Sequence, residues 1–270
     1  MMTLGTTGAF GFEDFHPPEV LGLYAQAGCT IVQVYRNRLR HITSRDILAM
    51  MPDEPLTIDS IHGVFGDDLD PSSEDEAFRR QTVDTYKREA DFCRELGGDL
   101  VVVHPCPARA AVGSLEAKYA QLRRSFDELG RFGDQVGVTF AFENMPPYHP
   151  VGYDVERLVR EIAAAAASRI VFLLDTGHAH MTCGIGNAVR LAGDNLRYTH
   201  VHDNDGKIDN HMLPYRGTLP WDELRDAIHE VRYDGVFLLE VFEKARDLRR
   251  LLNDRWKSDI GRILNNSHAD

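Results

Sequence analysis

Six short apolar runs along this chain each end on a side chain that can bind a metal or move a proton. The residues are His62, His104, Glu143, Asp175, the pair His200 and His202, and Glu240. His178 follows Asp175 by three positions, and Asp203, Asp205, Asp209 and His211 follow His202 in one loop. Each alone has an ordinary structural explanation, such as a hydrogen-bonded histidine or a capping carboxylate. Glu143 and Glu240 are harder to explain that way, because a carboxylate in an apolar strand needs a cation or hydrogen-bond donors. Carboxylates brought to one place repel unless a positive charge sits among them. A divalent ion supplies it, and imidazole with carboxylate is an ordinary ligand set for Zn, Mn, Fe or Co.

The elements that would position these residues are strands. Continuous β-branched runs fall at Thr3–Thr7, Thr30–Tyr35, Thr57–His62, Leu100–His104, Val138–Glu143, Ile170–Asp175, Tyr198–His202 and Val236–Glu240. Unbroken apolar runs suit parallel strands buried on both faces. Their ends recur about every 33 residues, close to one βα unit. Helical patterns fill the gaps at Glu74–Leu96 (behind the N-cap pair Ser72-Ser73), Leu115–Phe132, Val155–Ala167, Trp221–Val231 and Ala245–Leu264. The pattern predicts an α/β protein, a (β/α)8 TIM barrel filling residues 1–270 as one domain. An open doubly wound sheet is disfavoured because no G-x-G-x-x-G follows the first strand. In a barrel, the carboxyl ends of the strands form the catalytic rim. Trp221 reads as a packing residue after the turn at 217–220.

Together, VVVHP (101–105), FENM (142–145), LLDTGHAH (173–180), HVHDNDGKIDNH (200–211) and LLEVF (238–242) resemble the xylose-isomerase-like TIM barrels. That superfamily holds sugar and sugar-phosphate isomerases and epimerases, and also endonuclease IV. The resemblance implies one divalent ion held by Glu143, Asp175, His200 and Glu240. It also implies that Glu143 and Glu240 are the proton-transfer groups of an enediolate mechanism. The further zinc ligands of endonuclease IV match His62, His104, His178, Asp209 and His211. All nine positions are therefore filled, which leaves one to three ions per chain open, whether Mn, Zn, Co, Fe or Mg. His202 is expected to contact substrate. Arg36, in the basic run 36–41, is expected to do so as well, together with Lys207 and Arg216.

The leading expectation is thus a metal-dependent isomerase or epimerase of a sugar, sugar phosphate or related polyol. The alternatives are a multinuclear phosphate ester hydrolase and a lyase or dehydratase using the same enolate chemistry. A net charge of −12, from 30 basic and 42 acidic residues, disfavours nucleic acid and anionic membrane as partners. The most apolar stretch, Ile162 to Leu174, is too short to span a bilayer. Four scattered cysteines without a C-x-x-C pair and no visible secretory signal make the cytoplasm the expected location. Nothing marks an oligomer interface, and homo-oligomerisation stays open.

Overall fold

The computed structural model describes residues 1–111, 113–165 and 167–265. Eight strands alternate with helices: β1 (Thr3–Phe10), α1 (Pro17–Gln26), β2 (Ile31–Arg36), α2 (Ser44–Ala49), β3 (Thr57–His62), α3 (Glu76–Glu95), β4 (Leu100–Val103), α4 (Leu115–Val136), β5 (Thr139–Glu143) and α5 (Val155–Ala164). There follow β6 (Ile170–Asp175), α6 (Thr176–Met181), α7 (Ile185–Ala192), β7 (Leu196–Val201), α8 (Trp221–Glu230), β8 (Val236–Leu239), α9 (Ala245–Leu251) and α10 (Asp254–Leu264). All neighbouring strands pair in parallel, and β8 returns to β1 to close the barrel.

The barrel follows from side chains that alternate in and out along each strand. Leu100, Val102, Ala141, Leu173, Tyr198 and Leu238 form one apolar cluster inside the barrel. The positions between them, such as Val101, Phe140, Phe142, Phe172 and Phe237, join a second cluster with the outer helices. Phe126 of α4 meets Phe142 of β5 edge to face at 4.6 Å. Both rings are wholly buried, and each contributes about 2–3 kcal/mol by leaving water.

Several expected boundaries move. Strand β1 runs on to Phe10, whereas β4, β7 and β8 stop just before His104, His202 and Glu240. Ser72-Ser73 do not cap α3. Asp75 does, accepting from the backbone N–H of Ala77 and Phe78, while Ser72 hydrogen-bonds Asp70 instead. The expected single helix Ala245–Leu264 breaks into α9 and α10, because the Asn253 side chain accepts from Trp256 N–H and starts a new helix. Ala166, inside the expected helix Val155–Ala167, lies outside the described residues, as do 266–270. No helix among the described residues is long and apolar enough to cross a membrane.

Candidate metal centre

The two-residue period of a strand builds the floor of the site. Ser60, Val102, Ala141, Leu173, Tyr198 and Leu238 are interior residues. His62, His104, Glu143, Asp175, His200 and Glu240 each lie two positions further on, and so emerge on the same side at the barrel mouth.

Four of these make a compact donor set. Glu143, Asp175, His200 and Glu240 are all buried, and each offers one ligand atom within 4.8 Å of the others. His200 Nδ1 sits between the glutamates, 3.0 Å from Glu143 Oε1 and 3.1 Å from Glu240 Oε2. A second group adjoins it. His104 Nε2 is 3.3 Å from Glu143 Oε2, and His62 Nε2 is 3.9 Å from both that oxygen and Glu240 Oε1. The Gly63 carbonyl holds His62 Nδ1 at 2.8 Å, which turns Nε2 toward the site.

A third group lies above β6 and β7. His178 Nε2 is 3.1 Å from Asp209 Oδ2, and His211 Nε2 is 3.4 Å from the same oxygen. All nine expected ligands thus meet in one cluster.

His202 has a different place from the one expected. It is wholly buried, off the cavity wall, with Nε2 3.1 Å from both Asp175 carboxylate oxygens. His202 thus meets the Asp175 carboxylate edge-on, and it also falls in two groups that could hold an ion, one with Asp175 and His178 and one with His211 and Glu240.

The neighbouring residues explain the local sequence. Asn144 accepts the Asp175 N–H at 2.7 Å and donates to the Asp175 carbonyl at 3.1 Å, so the end of β5 fixes the end of β6. Asp175 caps α6 by accepting from His178 N–H at 2.7 Å. The Thr176 hydroxyl bridges the His202 backbone. A Cβ on Gly177 would lie 2.0 Å from the His202 ring, so only glycine fits there. Asp203 anchors the loop that carries Asp209 and His211. It pairs its backbone with Met212 and accepts from Leu219 N–H and from the indole N–H of Trp221, which packs as expected.

Burial opposes ionisation of Glu143 and Glu240, yet His200 beside both, with His104 beside Glu143 and His211 beside Glu240, holds their carboxyls well below the usual range. Burial also opposes charge on the imidazoles. Glu240 and Glu143 nevertheless hold His200 well up, and Asp175 and Asp209 push His178 up to about 10. His62, with burial reinforced by His104, falls to about 4. The carboxylates are thus favoured in their charged form, the electrostatic setting in which a cation is held.

Three buried atoms of the cluster, Glu143 Oε2 (despite His104 Nε2 at 3.3 Å), His200 Nε2 and Asp209 Oδ1, make no well-aligned hydrogen bond among the described residues. Unpartnered buried polar atoms are costly. Ligands of an ion with bonds of about 2.1 Å sit roughly 3.0–3.4 Å apart, and the His200–glutamate separations fall there. The residues fit a divalent ion.

Above the floor is a cavity of about 350 Å³. No Lys or Arg lines it among the described residues. The three basic residues expected to contact substrate lie elsewhere. Arg36 turns outward to pair with the buried Glu89 of α3, its guanidinium over the Phe92 ring. Lys207 and Arg216 are exposed and off the cavity wall. The cavity is lined instead by residues not singled out in the sequence, including His149, whose Nδ1 donates to the Cys106 carbonyl at 2.9 Å, and Tyr35, Phe65, Tyr148 and Phe242. Phe242 could have been found, since it lies two positions after Glu240 and so on the same face.

A family model described as xylose isomerase-like TIM barrel matches residues 21–261. An uncharacterised protein of Methanocaldococcus jannaschii is 28% identical over 192 residues, covering 67% of this chain and 63% of its own length. Fructoselysine 3-epimerase of Escherichia coli O157:H7 is 24% identical over 172 residues, covering 62% of this chain and 61% of its own length. The matched part is thus less than two thirds of either relative. A solved structure of a D-tagatose 3-epimerase-like protein has a TM-score of 0.77 at 20% identity, over 97% of this chain and 100% of that one, which shows a shared fold.

Proposed function

The chain belongs to the xylose isomerase-like TIM barrel family, and on that premise we propose that it is a divalent-metal-dependent epimerase or isomerase of an unphosphorylated sugar. The observation that carries this reading is the pair Glu143 and Glu240, both within 3.1 Å of His200 and both on the wall of one cavity. The names of the fructoselysine and tagatose epimerases support the same class of reaction. The cavity wall without Lys or Arg argues against a phosphate group on the sugar.

Glu143, Asp175, His200 and Glu240 would hold the ion. A bound divalent ion polarises a carbonyl and an adjacent hydroxyl and offsets the negative charge that forms there. One glutamate removes the proton next to the carbonyl, leaving an enediolate. The other delivers a proton, either to the opposite face of the same carbon (epimerisation) or to the neighbouring carbon (isomerisation). His202 and Asn144 fix Asp175 from behind, and the Gly63 carbonyl aims His62 Nε2 at the two glutamates. The test is deuterium uptake from solvent into D-fructose, D-psicose, D-tagatose and 1-amino-1-deoxy-D-fructose by the Mn-loaded protein. Uptake should occur beside the carbonyl and fall by about 10²–10⁴ in Glu143→Gln and in Glu240→Gln. Undiminished uptake in either variant removes that residue from the mechanism.

One observation favours a second reading. His62, His104 and Glu143 form a further group with ligand atoms within 4.8 Å, sharing Glu143 with the first. Two ions bridged by a carboxylate would suit attack on a phosphate ester. That reading requires two or three ions per chain and cleavage of bis-p-nitrophenyl phosphate. A lyase using the same enediolate would instead be recognised by a product lacking the elements of water.

A further inference from the structure

The mouth of the cavity carries an aromatic collar that the chemistry of the floor does not require. Phe242 meets Tyr35 with ring centroids 5.2 Å apart, and Tyr35 meets Phe65 at 6.2 Å. Phe65 stacks on His104 at 4.6 Å, and His104 meets His149 at 6.3 Å. His149 meets Tyr148 at 5.1 Å. The chain of contacts starts beyond β8 and passes β2, β3 and β4 to the loop after β5, more than half of the rim. Phe65, Tyr148 and Phe242 remain 37%, 55% and 41% exposed. Large aromatic surface left in contact with water around a cleft marks a place where a ligand removes it.

Among the described residues, the arginines beside this rim each lie within 4.0 Å of a carboxylate, and Lys207 and Arg216 stand off the cavity wall, so no Lys or Arg reaches into the cavity to hold an anion. Arg36 is held by Glu89, Arg38 by Asp68, Arg40 by Glu13, and Arg109 lies 3.8 Å from Asp67. The cavity, at about 350 Å³, falls at the scale of clefts for drug-sized ligands, about 300–1,000 Å³. A free monosaccharide is smaller than such ligands, and its hydroxyls suit the carboxylate and imidazole floor rather than the collar.

We propose that the substrate is a conjugated sugar: a sugar whose polar ring sits on the Glu143–Glu240 floor and whose attached apolar or aromatic group fills the collar of Tyr35, Phe65, Tyr148 and Phe242. This rests on the sugar reading above and specifies its substrate class. The collar supplies affinity for the attached group, and the floor supplies the chemistry.

The experiment uses the Mn-loaded full chain and paired probes that keep the carbonyl and its neighbouring C–H, the 1-O-methyl and 1-O-phenyl ethers of D-fructose, D-psicose and D-tagatose, with binding measured by calorimetry. The phenyl member of at least one pair should bind about tenfold tighter or more, from burial of one further ring and its contacts. Phe65→Ala and Phe242→Ala should each shrink that ratio severalfold, while Leu48→Ser, a change of an exposed residue on α2 away from the cavity, should leave it unchanged. No phenyl preference, whether both members bind alike or neither binds, overturns the proposal. So does a preference that survives both phenylalanine changes. Deuterium uptake into a free ketose without any phenyl preference would refute the collar's role while leaving the epimerase reading intact.

Discussion

Gly177→Ala sets two effects of known size against each other. Gly177 lies in α6, and replacing a helical glycine by alanine ordinarily stabilises by about 1 kcal/mol. Here the new Cβ would stand 2.0 Å from His202 Cε1 and 2.6 Å from Nε2. To restore ordinary contact of 3.4 Å the ring must retreat by about 1.4 Å. It has nowhere to go, since His202 is wholly buried and stacked on His211 with centroids 4.1 Å apart. The retreat also breaks the 3.1 Å contacts from Nε2 to Asp175. Overpacking costs about 1–3 kcal/mol and a lost hydrogen bond to a charged group about 1.5–3. The net expectation is destabilisation by about 2–5 kcal/mol, read by urea unfolding of metal-free protein. Mn²⁺ affinity should fall about 10–100-fold, because Asp175 loses the group that orients it. A variant as stable as the parent or more so, with unchanged Mn²⁺ affinity, would refute the claim that Gly177 exists to seat His202.

Asn144→Ala removes both links to the Asp175 backbone and should cost about 2–3 kcal/mol, with a parallel loss of Mn²⁺ affinity; an unfolding curve and a metal titration check it. Lys118→Met leaves the buried Asp70 carboxylate unpaired and should cost about 3–5 kcal/mol, much of it recovered in Asp70→Asn/Lys118→Met, as a double-mutant cycle would show. Asp59, below the site, is raised to about 6, chiefly by burial and against its bonds from Ser60 and Tyr198. The folded state thus favours the protonated form, and stability is lost as pH rises from about 4 through 6. Asp59→Asn should therefore gain on the parent across that window by about 1 kcal/mol, below the full linkage value because the carboxyl keeps some contact with water. A stability difference flat with pH would contradict it.

The barrel was legible because its strands announce themselves. Runs such as Thr57–His62 and Ile170–Asp175 are continuous, β-branched and closed by a polar residue, and they match β3 and β6 to the residue. The donor positions were legible for the same reason, since each follows its strand at a fixed parity. Short helices were not. Helix α1 has no side-chain cap, while α2, α6 and α7 span only six to eight residues, too few for a period to stand out. The roles of Arg36 and His202 were also out of reach. Arg36 reads as a free rim charge until Glu89, 53 positions away, takes it up. His202 has the parity of a cavity residue, but the turn after β7 tucks it behind Asp175. The aromatic collar comes from five separate segments, so beyond Phe242 no spacing in the chain reveals it.

The most direct test of the central claim is a calorimetric titration of chelator-stripped protein with Mn²⁺, beside the Glu240→Gln and Asp175→Asn variants. The account predicts at least one tightly bound ion per chain in the parent, with binding weakened at least tenfold in each variant while the fold is retained. No saturable binding in the parent, or binding indifferent to both substitutions, would contradict the assignment of Glu143, Asp175, His200 and Glu240 as a metal centre.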